Sequence, residues 1–192
     1  MRRFPLGTLL LSAAVATPVT NFTCLEFADS FYHEGVEYIA GKGFLVGSVP
    51  GNSTDNSIGV VYDDGTLGPW TTAARPAHQH SQLGIHVDSA NNRLIATNLN
   101  SAPVAAGVQG VLAFDLTSGE ELFYWNATPV ATNFTPNDVT VGIGGKIYVT
   151  SHVEGHVFEV EDATTARQVT RIAENVYGGA EEATAYIVNG VE

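Results

Sequence analysis

The stretch Glu34-Gly35-Val36-Glu37-Tyr38-Ile39-Ala40-Gly41-Lys42-Gly43-Phe44-Leu45-Val46-Gly47-Ser48 decides the fold, because the chain repeats it. Leu83-Gly84-Ile85-His86-Val87-Asp88 followed by Arg93-Leu94-Ile95-Ala96-Thr97 lies over it. A third copy runs through Asn137-Asp138-Val139-Thr140-Val141 and then Lys146-Ile147-Tyr148-Val149-Thr150-Ser151. Each copy is a run of alternating side chains, a Gly or Asn turn, and a second run ending in small polar residues. Alternation at a period of two puts one set of side chains on each face of a strand, so each copy reads as a pair of strands. Phe44, Leu94 and Ile147 hold the same place in the three copies, 50 and 53 residues apart.

Working outward, a third strand follows each pair, at Ile58–Tyr62, Val111–Leu116 and Val157–Val160. Asp63-Asp64-Gly65, Thr117-Ser118-Gly119 and Gly144-Gly145 supply turns between strands. Helix is nearly absent; Ala163–Glu174 reads either as a turn or two of helix or, from its Thr, Val and Ile, as a strand. Units of about 40–50 residues with several strands apiece are the signature of β-propeller blades. The alternative is a β-sandwich of unrelated hairpins. A fourth copy opens at Ala180–Tyr186 and reaches the turn Asn189-Gly190, so three to four blades are expected where closed propellers use about 4–8. A truncated piece of a longer propeller is the expectation, or one that needs a partner to close. Open blade edges would then invite self-association.

The balance of 20 acidic against 8 basic side chains gives a net charge of −12, which argues against nucleic acid or an anionic membrane as a partner. A hydrophobic fraction of 44% with 15% charged residues excludes a disordered tail or a coiled coil. Arg2 and Arg3 precede the apolar run Leu6–Ala16, which ends in Ala14-Val15-Ala16, the pattern of a signal peptide over residues 1–16. That run is too short for a bilayer, which needs roughly 20 apolar residues. The reading is a secreted glycoprotein with a partial propeller domain over 17–192 and acceptor sites at Asn21, Asn52, Asn126 and Asn133, each two residues before a Thr. The single Cys24 makes no internal disulfide and is expected to be a buried or half-buried thiol.

In a propeller the first strand of each blade lines the central channel. The column at its start is Glu34, Leu83, Asn137 and Glu181, spaced 49, 54 and 44 residues apart. Three of the four carry oxygen donors, which suit a hard divalent cation such as calcium or magnesium. They are equally readable as polar turn residues at strand starts. His78-Gln79-His80 with His86 nearby offers imidazoles for a transition metal, against the commoner reading of a solvated loop, and His152 and His156 read as surface residues. No Gly-x-Ser-x-Gly elbow, phosphate loop or HExxH motif occurs.

His33-Glu34-Gly35-Val36, Gly84-Ile85-His86-Val87-Asp88 and Pro136-Asn137-Asp138-Val139 ahead of Gly145–Ser151 resemble the senescence marker protein/gluconolactonase/luciferin-regenerating enzyme family, over roughly residues 26–192. The resemblance implies an all-β, six-bladed propeller of the calcium-dependent phosphotriesterase-like type, of which three to four blades are present. It also implies a channel metal, calcium first with magnesium or zinc as alternatives, and hydrolysis of a small-molecule lactone or related ester. Glu34 matches the metal-binding glutamate of the family's Glu-Gly-Pro motif. Asn137 matches a channel asparagine, either the metal ligand or, with Asp138, the substrate-binding Asn-Asp pair. Glu181 stands where an Asp-Gly motif would place the catalytic carboxylate. Val36 in place of proline, Glu181-Glu182 in place of Asp-Gly, and Ser151-His152 in place of Asp-Ser depart from the pattern. The alternative is a non-catalytic or inactive propeller that binds a small molecule or a protein.

Overall fold

The computed structural model describes residues 31–50, 58–62, 66–71, 73, 76, 79–99, 109–128, 134–151 and 155–171. Signal peptide, Cys24, Glu181, the fourth copy, His78, His152, and the acceptor sites Asn21, Asn52 and Asn133 all lie outside them.

Among the described residues twelve strands form three antiparallel sheets of four, each a meander in chain order. The first holds β1 (Phe31–Ile39), β2 (Gly43–Pro50), β3 (Gly59–Val61) and β4 (Leu67–Pro69). The second holds β5 (Ile85–Asp88), β6 (Arg93–Asn98), β7 (Gly110–Asp115) and β8 (Glu121–Asn126). The third holds β9 (Pro136–Val141), β10 (Ile147–Ser151), β11 (His156–Val160) and β12 (Ala166–Arg171). Among the described residues the only helical segments are single 3-10 turns at Ser89–Asn91 and Ile143–Gly145. None is long and apolar enough to cross a membrane. Within Ala163–Glu174, Ala166–Arg171 is a strand that pairs with β11, and residues 172–174 lie outside the described residues.

The repeat sets the layering, because alternate residues of each strand face opposite neighbours. Leu45, Ile58 and Val60 of the first sheet meet Leu94, Ala96, Leu112 and Phe114 of the second in one buried cluster. The other face of the second sheet, with Ile95, Val111, Ala113 and Trp125, packs on Val139, Ile147, Val149, Phe158 and Val160 of the third. Trp125, Phe134 and Phe158 fill this second interface with rings 5.3–6.1 Å apart in tilted and edge-on pairs, the geometries aromatic quadrupoles favour. Arg93 ties the same two sheets: its Nε donates to Asp88 Oδ2 at 2.7 Å, and its guanidinium also donates to the Gly145 carbonyl.

One face breaks the series. Val36, Ile85 and Val139 hold equivalent register positions, opposite Val46, Ala96 and Val149. Ile85 and Val139 are 4% and 2% exposed because the preceding sheet covers them, whereas Val36 is 58% exposed. Phe44 is 47% exposed where Leu94 and Ile147 are 0% and 1%. The outer face of the first sheet is therefore built like the covered faces of the other two.

Glu159 of β11 is buried in the third sheet. It accepts from Lys146 Nζ at 3.1 Å, Tyr148 OH at 3.0 Å and Arg167 Nε at 3.0 Å. The Lys146 ammonium and its other donors hold the carboxyl below its ordinary range against the opposing effect of burial. Both carboxylate oxygens thus accept hydrogen bonds, two of the donors being the cations Lys146 and Arg167, and the group reads as a structural ion pair.

Candidate functional site

The first strands of the three sheets converge on a pocket of about 420 Å³. Its walls are three aligned tetrads: Glu34–Glu37 from β1, Leu83–His86 at the head of β5, and Asn137–Thr140 from β9. Glu34, Asn137 and Asp138, expected to serve a site, all stand in this one pocket.

The three strands share a local device. Between His33 and Val36, β1 spends three steps against two on β2. From Pro136 to Val139, β9 does the same against β10. From Ser81 to Ile85 the chain takes four steps against three between Ala96 and Leu99. One extra residue in each place is a β-bulge, which re-aims side chains and is common beside functional sites. It explains how Glu34 and Glu37, three apart and thus on opposite faces of a regular strand, both line the pocket.

Two threonines hold the bulges. Thr97 Oγ1 accepts from the Leu83 and Gly84 amides, both at 3.0 Å, and Thr150 Oγ1 accepts from the Asp138 amide at 3.0 Å. The first bulge is secured across sheets instead, the Gly35 amide donating to the Leu83 carbonyl at 2.6 Å. Glycine is required at Gly84, where a Cβ would stand 2.5 Å from both Asp138 Cα and Oδ1. That close approach brings β5 against β9.

Glu37 is the residue that sequence reasoning missed, and His86, read there only beside His78 and His80 as a candidate transition-metal ligand, is its partner. Glu37 Oε1 lies 3.2 Å from His86 Nδ1, both side chains about 28–29% exposed. Burial pushes the Glu37 carboxyl above its ordinary range, with the Asp138 carboxylate adding to it; His86 and the Val87 amide pull the other way without cancelling the rise. Their signal lay in the spacing: Glu37, His86 and Thr140 fall three residues after Glu34, Leu83 and Asn137, and the same register unites them, opposite Leu45, Ile95 and Tyr148.

Asn137 Oδ1 is buried and accepts no hydrogen bond. Such an atom is costly without a partner. Carboxylate and amide oxygens from Glu34, Asn137 and Asp138 are the donor chemistry a hard cation takes. Among the described residues no three His, Cys, Asp or Glu side chains stand close enough to hold a metal together; the fit is of two oxygen donors, Glu34 and Asn137, with further ligands to come from elsewhere.

No family model and no curated protein matches the chain. Away from it, His80 donates its backbone amide to Asn98 Oδ1 at 2.6 Å, and His156 stacks edge-on near Phe158. Asn126, the described acceptor site, ends β8 with its Oδ1 accepting from the Thr128 amide at 2.9 Å.

Proposed function

We propose that the three sheets are successive blades of a six-bladed type of β-propeller, and that the inner-strand pocket hydrolyses a small-molecule lactone or related ester in a secreted, glycosylated protein. The observation that carries this reading is the convergence of three register-matched tetrads, each behind a bulge, on one pocket. The outer face of the first sheet supports it too, since its Val36 and Phe44 repeat positions that a neighbouring sheet covers elsewhere.

Charge narrows the substrate. Glu34, Glu37 and Asp138 face the pocket with no lysine or arginine among its lining residues. Such a wall repels phosphate and carboxylate substrates and admits a neutral lactone. Glu34 and Asn137 would hold a divalent cation, calcium by their donor type; when bound, it supplies positive charge to a carbonyl oxygen. Asp138 would position substrate hydroxyls, its own backbone amide bonded to Thr150 Oγ1. The test is hydrolysis of a panel of γ- and δ-lactones by the secreted chain with and without added calcium. Calcium-dependent turnover that disappears in Glu34→Gln is expected; turnover unchanged in that variant removes Glu34 from the reaction.

A further inference from the structure

We infer that Glu37 and His86 form a carboxylate–imidazole dyad in which His86 takes the proton of the attacking water and Glu37 holds the ring for it. The inference rests on the hydrolase reading above and names the proton acceptor within that pocket. Three observations carry it. The Glu37 carboxylate meets Nδ1 of the ring at 3.2 Å, which fixes the tautomer with its proton on Nδ1 and leaves the Nε2 lone pair as the acceptor. Both residues line the pocket, where substrate would lie. They come from different sheets, β1 and β5, at equivalent register positions, so the pair exists only where the two inner strands meet. The Val87 amide donates to the Glu37 carboxylate and steadies it.

The other charged residues that line the pocket are Glu34 of β1 and Asp138 of β9.

The step balances without an oxidant or reductant. As the water oxygen bonds to the lactone carbonyl carbon, one O–H bond breaks and its proton passes to Nε2, the electron pair remaining on oxygen. Collapse of the tetrahedral species breaks the ring C–O bond, and the departing oxygen takes the proton back from Nε2. The product is the hydroxy acid. His86 is the catalytic residue; Glu37 is a positioning residue that acts through it.

The experiment measures lactone turnover and the ring tautomer in the full chain and its variants. His86→Gln and His86→Asn should each lower kcat by about 10²–10⁴-fold with KM nearly unchanged. Glu37→Gln should lower kcat less, and Glu37→Asp should restore part of the loss. Nitrogen NMR of the wild-type ring should show the proton on Nδ1, with the tautomers mixing in Glu37→Gln. A wild-type chain inert on every lactone would overturn the hydrolase reading and the dyad with it. An active wild type whose turnover survives both His86 variants, or whose ring carries its proton on Nε2, would overturn the dyad alone.

Discussion

Replacing Thr97 by valine removes the oxygen that bonds the Leu83–Gly84 bulge of the pocket wall and leaves the shape of the side chain almost unchanged. Thr97 is fully buried, so the substitution opens no cavity worth counting. Its Oγ1 accepts from the Leu83 and Gly84 amides at 3.0 Å each and donates to the Gly84 carbonyl at 3.3 Å. The Thr97 backbone amide keeps its own bond to the Gly84 carbonyl at 2.9 Å. What is lost is the acceptor for two amides in a buried bulge. An orphaned buried donor costs about 1–3 kcal/mol; two donors sharing one oxygen each bond less than fully, so Thr97→Val should destabilise by about 2–4 kcal/mol. Thr97→Ser keeps the oxygen and loses a methyl, for a cost of about 1 kcal/mol. Urea denaturation followed by tryptophan fluorescence separates the two. A valine variant within about 0.5 kcal/mol of wild type would refute the claim that this hydroxyl holds the bulge.

Gly84→Ala drives a Cβ to 2.5 Å from the Asp138 backbone, so β5 and β9 must part; denaturation should show a loss of about 1–3 kcal/mol, with lactone turnover falling alongside. Trp125→Ala empties the centre of the second interface between Phe134 and Phe158 and should cost about 3–5 kcal/mol by the same assay. Asp88 is buried, which alone would raise its pKa, but hydrogen bonds from Asn91 and Arg93 outweigh burial and hold it low. Its stabilisation is therefore complete above the ordinary aspartate range of about 3.9 and is lost as pH falls through the lower folded value; Asp88→Asn should flatten the acid limb of the stability profile. Glu37 has the opposite sign: burial raises its carboxyl, so its ionised form costs stability above the folded value, and Glu37→Gln should be the more stable protein at neutral pH and equal to wild type below the ordinary glutamate range.

The sheets were legible because alternation and spacing survive in all three copies. Phe44, Leu94 and Ile147, aligned on sequence, fall at matching register opposite Val61, Phe114 and Val160. The fourth strands of the first two sheets were not read, whereas that of the third, Ala166–Arg171, lies in the segment left open between helix and strand. Leu67–Pro69 is only three residues long and holds a proline, while Glu121–Asn126 opens on exposed positions and runs apolar through Leu122–Trp125 without alternating. Glu34 and Asn137 were found as a column of oxygen donors, and both reach the pocket. Glu37, and its pairing with His86, were hidden by the bulges: strict alternation turns a residue three places on to the far face, and the extra residue that reverses this carries no composition signal beyond the neighbouring glycines. The Thr97 and Thr150 hydroxyls that hold the bulges looked like ordinary strand-end polar residues.

The most direct test of the pocket as the functional site is a set of two-dimensional amide NMR spectra of the chain titrated with a δ-lactone in the presence of calcium. The account predicts that shifts concentrate on the amides of residues 34–37, 83–86 and 137–140, the three tetrads that line the pocket. Shifts that spare these amides and gather on another surface would contradict it.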